Sequence, residues 1–415
     1  MSSVIRFLLF VLYVLLSVPC SPLFAQVKIG AEVFFEKNIS LVAGKRVGVL
    51  CNSASIVFSE NKNLVDVLRE KKINVTAIFS PEHGFRNNIS AGEKFGNQFD
   101  SATGITIFSL YGKTYKPTKE MLDKIDVLLF DLQDVGARYF TYSSTMAYAM
   151  EACSENGKQF ILFDRPNPIG GNDVEGFLLE DSLQSFVGKF PIPNRHGVTL
   201  GELAQMIVGE KWITNSEKSD LKIIPCEGLT RAMYRSDIKL PWNAPSPNII
   251  SPTTALVYVG TCVFEGTNIS EGRGTEFPFQ TIGAPWICGK KLVDELEKEK
   301  LENVKFSAVA FTPHSNPKRS TSPKFMNENC GGIFIEVTDE KKFQPLNTSI
   351  AILCAIKKLY PDSLHFNTKQ FARLAGTVKL QKEIEAGKSA DEIEEMWNED
   401  VKKFLEKRKK YLLYK

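Results

Sequence analysis

The sequence lacks most of the motifs that mark metal enzymes and nucleotide-binding proteins. It has four histidines, none paired at helical ligand spacing, and no CxxC pair, which argues against a zinc site. No GxSxG elbow, HExxH motif or Walker loop is present, and no GxGxxG follows the first predicted strand. We therefore expect an enzyme without metal or cofactor, if it is an enzyme.

Charge of one sign and long apolar runs are also scarce. The net charge of +3 is small for 415 residues, and no basic block interleaved with aromatics occurs. The short run from Lys407 to Lys410 is interpreted as a solvated helix end, so no nucleic-acid partner is expected. Beyond the N-terminus, no stretch reaches the length needed to span a bilayer.

The N-terminus has the layout of a secretory signal peptide. Arg6 precedes an apolar stretch from Phe7 to Val18, and small or neutral residues follow up to Ala25. This predicts a signal peptide over residues 1–25 and a periplasmic or secreted mature protein. Cys20 leaves a lipoprotein alternative, which Pro19 directly before it disfavours. The cysteines beyond residue 25 are dispersed and odd in number, which fits no dense disulfide framework.

Short apolar runs alternate with helical patterns, which indicates an α/β fold. Strands are predicted at 46–50, 73–79, 105–112, 127–130, 160–163 and 221–224. This order is typical of a Rossmann-like, doubly wound parallel sheet. The proline-rich segment at 240–248 marks a junction. We place a Rossmann-like domain at 26–240 and a smaller α/β auxiliary domain, with strands at 306–311 and 332–337, at 241–415.

One stretch, Asp126 to Tyr142, organises the predicted sheet. Its apolar part, Val127 to Phe130, suits a strand buried on both faces. A dense polar cluster follows at once: Asp131, Gln133, Asp134, Arg138, Tyr139, Thr141 and Tyr142. A second cluster, SPEHGF at 80–85, follows the strand at 73–79. Because ligands in open α/β sheets lie beyond the carboxyl ends of the strands, both clusters are site candidates.

Carboxylates are concentrated in turn-rich segments, among amides, arginines and aromatic residues. They are Glu82, Glu93, Asp131, Asp134, Glu175, Glu265 and Glu271. Cleavage of a glycosidic bond uses two carboxyl groups, one to protonate the leaving oxygen and one as base or nucleophile. The composition of these segments therefore favours binding and cleavage of a sugar. Each residue also has a structural alternative; Asp164 and Arg165, for example, could form a buried pair that fixes a loop.

The same segments resemble the bacterial exo-β-N-acetylmuramidases, long catalogued only as a domain of unknown function. The matching motifs are SPEHGF (80–85), LYG (110–112), FDLQDVGARYFTY (130–142), DRPNPIGG (164–171), VEG (174–176), HGVTLGELA (196–204), LPWNAPSPN (240–248), FEGTNISEGRGT (264–275) and GAPW (283–286). The resemblance implies release of N-acetylmuramic acid from the non-reducing end of peptidoglycan fragments. It also implies an active site in the cleft between the two domains.

Carried over by motif, Glu82 is the first choice for catalytic acid or base and Glu175 for the second carboxylate. Glu93, Glu265 and Glu271 stay open as alternatives. Residues expected to bind the substrate are His83, Asp131, Gln133, Arg138, Tyr142, Arg165, His196, Asn268, Glu271 and Arg273. Asn87 and Asn88 stand where relatives often have glycine, so the loop that contains them is expected to differ in shape.

The resulting hypothesis is a periplasmic, cofactor-independent glycosidase that acts on MurNAc-GlcNAc fragments in cell-wall turnover or recycling. The alternative is a periplasmic sugar- or muropeptide-binding protein without catalysis, which would not need a pair of carboxylates. A cell-wall amidase or esterase would need a nucleophile with its base, or a metal site, and neither is visible. Asp131 to Tyr142 is expected to position the sugar rather than to transfer protons.

Overall fold

The computed structural model describes residues 26–86 and 92–415. The predicted signal peptide with Cys20, and the loop residues Asn87 and Asn88, lie outside the described residues. No helix in these two ranges has the length and apolar character needed to cross a membrane.

The strands fall into two larger sheets and a small hairpin. In chain order they are β1 (Val47–Cys51), β2 (Ile56–Val57), β3 (Lys62–Asn63), β4 (Val75–Ser80), β5 (Gln98–Phe99), β6 (Thr106–Ser109), β7 (Val127–Asp131), β8 (Gln159–Phe163), β9 (Leu221–Ile224), β10 (Thr281–Ala284), β11 (Val304–Phe311) and β12 (Cys330–Val337). Within the described residues, seven strands form one sheet in the order β5-β6-β4-β1-β7-β8-β9. Its pairs are parallel except for β5 with β6.

Side chains from alternate positions of the central strands enter two separate cores. In β7, Leu128 and Phe130 belong to one core, and Val127 and Leu129 belong to the other. Strands buried on both faces are the reason for the near-continuous apolar runs of the sequence. The predicted doubly wound parallel sheet is confirmed, with one antiparallel strand added at its edge.

Helices cover the faces of the sheets. The α-helices are Gly30–Val33, Leu64–Glu70, Lys119–Leu122, Tyr142–Glu155, Leu200–Gly209, Pro252–Thr261, Gly289–Leu296, Pro345–Leu359, Thr368–Ala375, Lys379–Glu385, Ala390–Glu395 and Asn398–Arg408. A capping box begins the helix Leu200–Gly209: Thr199 Oγ1 accepts from the Glu202 amide, and the Glu202 carboxylate accepts from the Thr199 amide. This helix ends at Gly209, and Lys211 two residues later adopts a left-handed backbone conformation that a helix cannot contain.

The smaller sheet lies in the C-terminal part of the chain, where β10, β12 and β11 pair in antiparallel fashion. Strand β10 was not predicted from the sequence, since Gly283 lies within it and Pro285 follows it directly. The helix Gly289–Leu296 packs against β11 and β12. The helices Pro252–Thr261 and Pro345–Leu359 pack against each other, and Gly260 gives the backbone of Pro345 room that no larger residue could give. The α/β character of the auxiliary region is confirmed.

The two parts of the chain share one core. The cluster that contains Phe130 of the large sheet also contains Leu353 of the helix Pro345–Leu359. The C-terminus returns to the large sheet, where the Tyr414 hydroxyl donates to Asp164 Oδ2 at 2.6 Å. These contacts fix the small sheet and its loops against the carboxyl ends of the parallel strands.

Candidate active site

A cavity of about 360 Å³ lies beyond the carboxyl ends of β4, β6 and β7. These strands are followed by Glu82, Tyr111 and Thr141, and all three residues line the cavity. The C-terminal part of the chain supplies the other side, including Glu265 and Arg273. The predicted strand-end clusters and the segment FEGTNISEGRGT (264–275) therefore meet in one place.

The Glu82 carboxylate is held by uncharged donors. Thr141 Oγ1 donates to Glu82 Oε2 at 2.8 Å, and the Gly92 amide donates to Glu82 Oε1 at 2.9 Å. Burial and the neighbouring Glu82 carboxylate raise the pKa of the Tyr111 hydroxyl, so it stays protonated as a further donor. His83 follows with a φ of +74°, a strained value that turns the chain sharply at the cavity wall.

Arg273 is the cation that the C-terminal part of the chain contributes to the cavity lining. Its Nη2 lies 2.8 Å from Glu265 Oε1, and its Nε lies 3.4 Å from Glu271 Oε1. Burial alone would lower the pKa of Arg273, but the two carboxylates raise it above its ordinary value. The guanidinium lies over the ring of Phe279, 4.9 Å from its centroid. Arg273 Nη1 is buried and has no hydrogen-bond partner within the described part of the chain.

The cavity has a buried floor and a more exposed rim. Buried lining residues are His83, Tyr139, Phe140, Ser246, Ile249, Tyr258, Cys262, Phe279, Ser320 and Leu374. Half-buried or exposed ones include Gly92, Tyr111, Phe186, Val187 and Ser322. A ligand can therefore enter from the rim and reach the buried floor.

Of the residues proposed from the sequence, Glu82, His83 and Arg273 line this cavity. Glu271 lies behind Arg273, and its Oε2 is 3.2 Å from Lys324 Nζ. It therefore contributes to the charge of the floor without belonging to the lining.

Glu175 does not line the cavity, which corrects the expected pairing with Glu82. Its Oε1 lies 2.7 Å from Arg195 Nη1, and its Oε2 accepts from the Leu346 amide at 3.1 Å. Burial raises the pKa of Glu175 although Arg195 lies beside it. A raised pKa suits a general acid, but a catalytic group must first reach the substrate. Glu175 fixes a loop against the helix Pro345–Leu359.

Asp131 and Arg165 form a buried structural pair and are also absent from the cavity lining. Arg165 Nε and Nη2 lie 2.5 Å and 2.9 Å from the two Asp131 oxygens. Gln133 donates to the carbonyl oxygens of Asp134 and Pro166 at 2.7 Å and 2.9 Å. Arg165 and Gln133 line a separate void of about 20 Å³, which has room for about one water molecule and not for a sugar.

Arg138 and Tyr142 connect elements instead of binding a substrate. The Arg138 guanidinium donates to the carbonyl oxygens of Phe177, Ile192 and Leu374 at 2.8–3.0 Å. Burial without a carboxylate partner lowers its pKa to about 10. The buried Tyr142 hydroxyl donates to Pro245 O at 2.6 Å.

His196 and Asn268 are likewise used inside the fold. His196 is fully buried, with Nε2 3.3 Å from Asp134 Oδ2. Asn268 Nδ2 donates to Ser363 O, and Asn268 Oδ1 accepts from the His365 amide, both at 2.8 Å. Neither residue lines the cavity.

Three residues that line the cavity were not proposed as site residues from the sequence: Tyr111, Thr141 and Phe186. Tyr111 belongs to the LYG segment directly after a predicted strand, so the rule that selected Glu82 also applies to it. Thr141 lay in the cluster already singled out. Phe186 had no comparable signal, because it is one aromatic residue in an irregular segment. Glu265 was one of the open alternatives for the second carboxylate, and it is the one that lines the cavity.

Comparisons with known proteins agree with this architecture. The chain matches the family models "Exo-beta-N-acetylmuramidase NamZ, N-terminal" over residues 47–253 and "Exo-beta-N-acetylmuramidase NamZ, C-terminal" over residues 256–414. It is 42% identical over 391 residues to the peptidoglycan beta-N-acetylmuramidase NamZ of Bacillus subtilis (strain 168), covering 94% of this chain and 92% of that protein.

Two crystal structures of DUF1343 family proteins from Bacteroides fragilis NCTC 9343 share the fold. Their TM-scores are 0.86 and 0.77, their identities 35% and 36%, and each comparison covers 94% of this chain and 99% of the other. Fold, site and relatives together define a two-domain α/β glycosidase. The chain belongs to the NamZ family of exo-β-N-acetylmuramidases.

Proposed function

We propose that this enzyme releases N-acetylmuramic acid from the non-reducing end of MurNAc-GlcNAc fragments of peptidoglycan. The observation that carries the proposal is the joint presence of Glu82 and Glu265 in one cavity with a buried floor. Two carboxyl groups are the usual requirement for glycoside hydrolysis. A floor that closes behind the terminal sugar suits removal of single units from a chain end. The related Bacillus subtilis protein is a peptidoglycan β-N-acetylmuramidase.

The surroundings of the two carboxyl groups favour a different catalytic role for each. Glu82 has uncharged hydrogen-bond donors, namely Thr141 Oγ1 and the Gly92 amide, whereas Glu265 is ion-paired with Arg273. A group that gains and loses a proton in each cycle is better placed away from a fixed cation. Glu82 donates its proton to the glycosidic oxygen as the C1–O bond breaks. Glu265 faces the positive charge that develops on the sugar. Water supplies the hydroxyl group of the product, and the proton that this water loses is taken up by the carboxylate pair, so that Glu82 is protonated again at the end of the cycle.

Arg273 provides the contact that distinguishes muramic acid from other sugars. Its Nη1 is buried without a hydrogen-bond partner among the described residues, so a donor is available in the cavity wall. The lactyl carboxylate of N-acetylmuramic acid is the anionic group that such a donor would bind. In the segment from Asp131 to Tyr142, the residues that line the cavity are Tyr139, Phe140 and Thr141. The rest of this segment supports the cavity lining from behind.

From the predicted signal peptide we infer that the enzyme acts in the periplasm or outside the cell. Substrates there are fragments of the cell wall, so the enzyme would serve turnover or recycling of peptidoglycan. Export can be measured by fractionating cells that express the full chain and locating its activity. Activity confined to the cytoplasm would contradict this part of the proposal.

The enzymatic proposal is tested with a chromogenic β-N-acetylmuramoside and with the MurNAc-GlcNAc disaccharide. The wild-type protein should release the chromophore and free N-acetylmuramic acid. Glu82→Gln should lower kcat by roughly 10²–10⁴-fold, the usual contribution of a general acid or base. Glu93→Gln is the matched control, since Glu93 lies exposed in the same loop and should leave kcat unchanged.

A sugar-binding protein without catalysis is the alternative. It would bind the disaccharide tightly in calorimetry and release no product at any pH. That result would refute the glycosidase mechanism and favour the alternative.

A further inference from the structure

Three aromatic residues form a wall at the rim of the cavity. Tyr115 and Phe186 lie with ring centroids 4.3 Å apart, and Tyr111 lies 5.7 Å from Tyr115 and 5.8 Å from Phe186. Tyr111 and Phe186 line the cavity directly. We call Tyr111, Tyr115 and Phe186 the aromatic wall.

A tight turn holds Phe186 in place. The Ser185 amide donates to Gly188 O at 2.7 Å, and the Gly188 amide donates to Ser185 O at 3.2 Å. Phe186 and Val187 are the two residues between these reciprocal bonds, and both line the cavity. Two apolar side chains at the tip of a turn, only half buried, offer apolar surface to a ligand.

The aromatic wall and the part of the lining around Arg273 differ in charge. Tyr111, Phe186 and Val187 carry no formal charge, whereas Glu265 and Arg273 form an ion pair in the lining. A neutral sugar therefore fits the wall better than a sugar with a carboxylate. The apolar C–H face of a pyranose packs well against aromatic carbon.

Tyr111 connects the wall to the catalytic centre, because it both adjoins Glu82 and contacts Phe186. The acid of a glycosidase protonates the oxygen that joins the terminal sugar to the next one. In the proposed function the terminal sugar lies against Arg273. The sugar on the aromatic-wall side of Glu82 is therefore the one that leaves.

We propose that the aromatic wall, with Phe186 at its centre, is the binding site for the leaving N-acetylglucosamine unit. The proposal rests on the proposed function, with the charged sugar against Arg273 and the neutral sugar against the aromatic wall. The wall residues would then determine which fragments are accepted, without taking part in proton transfer.

The test compares two substrates that share the terminal sugar. The MurNAc-GlcNAc disaccharide occupies the wall, whereas β-N-acetylmuramyl fluoride has no second sugar. Phe186→Ala should lower kcat/KM for the disaccharide about 10-fold, the scale of one aromatic contact, and change that for the fluoride by less than about 2-fold. Phe186→Tyr keeps the ring and should retain at least half of the disaccharide activity.

Phe99→Ala is the control for loss of an exposed phenylalanine, since Phe99 is 74% exposed and does not line the cavity. If Phe186→Ala lowers kcat/KM equally for both substrates, or does not lower it for the disaccharide, the assignment of the aromatic wall is overturned. If Phe186→Ala does not fold, Phe186→Leu tests the same point, with the loss again confined to the disaccharide. If the wild-type enzyme cleaves neither substrate, the proposed function itself fails, and the wall assignment with it.

Discussion

Thr141 Oγ1 donates to Glu82 Oε2 at 2.8 Å, although 59 residues separate the two in the chain. The bond joins the segments that follow β4 and β7, which lie on either side of β1 in the sheet. The parallel sheet thereby positions a carboxylate with a hydroxyl group that the sequence places far away. The orientation of Glu82 depends on this bond.

Thr141→Val removes the donor at nearly constant volume. We expect kcat to fall about 3- to 10-fold with little change in KM, the scale of one lost hydrogen bond. Thr145→Val is the matched control, because Thr145 lies in the helix that begins directly after Thr141, and its Oγ1 is buried without a hydrogen-bond partner in the described part of the chain. Equal activity in the two variants would show that Thr141 does not orient Glu82.

Glu265 and Glu175 should respond differently to the same substitution. Glu265→Gln should lower kcat by roughly 10²–10⁴-fold while the protein stays folded, because Glu265 lines the cavity. Glu175→Gln should keep most of the activity and lower the free energy of unfolding by about 3 kcal/mol, since it breaks the buried pair with Arg195. Urea unfolding and initial rates measure both effects. The reverse pattern would restore Glu175 as the second catalytic carboxylate.

Arg273→Lys tests recognition of the lactyl carboxylate. Lysine keeps the charge beside Glu265 but loses the planar fork of donors. We expect kcat/KM for an N-acetylmuramoside, relative to the matching N-acetylglucosaminide, to fall about 10-fold or more. If the substitution also disturbs Glu265, it lowers kcat/KM for both substrates, so that effect cancels in the ratio. An unchanged ratio would mean that Arg273 does not contact the lactyl group.

Asp164 should make folding stability depend on pH. It accepts from the Arg165 and Gly201 amides, Thr199 Oγ1 and the Tyr414 hydroxyl, yet burial raises its pKa from 3.8 to about 6. A raised pKa means that its contribution is fully present below about pH 4 and is lost as the pH rises through 6. The difference in unfolding free energy between wild type and Asp164→Asn should therefore shrink by about 3 kcal/mol over this window.

This difference is measured by urea unfolding at several pH values between 4 and 7. Asn cannot titrate, so the substitution isolates the contribution of Asp164 from that of other carboxylates. Parallel stability curves for the two proteins would show that Asp164 keeps an ordinary pKa.

The sequence predicted the parallel sheet well because its strands are buried on both faces, which leaves continuous apolar runs. It also predicted which edge carries the chemistry, since Glu82, Tyr111 and Thr141 all follow such runs. Strand β10 escaped prediction, because it is only four residues long and its pairing with β12 depends on contacts distant in the chain.

Individual site residues were harder to predict, because composition does not distinguish a polar group facing a cavity from one facing a carbonyl. Arg138 and Arg273 both lie in polar, glycine-containing segments. The first is buried among three carbonyl oxygens, and the second reaches a cavity. Only the packing of distant segments, such as Leu374 against Arg138, decides between these outcomes.

The Arg138 contact with Leu374 has a consequence for how the protein can be divided. The family models separate near residue 255, yet this guanidinium, the shared core and the Tyr414–Asp164 bond all cross that border. The two halves are therefore not interchangeable modules. A chimera that joins one half to the other half of a relative would need to match both surfaces, and neither half expressed by itself would present a complete catalytic pocket.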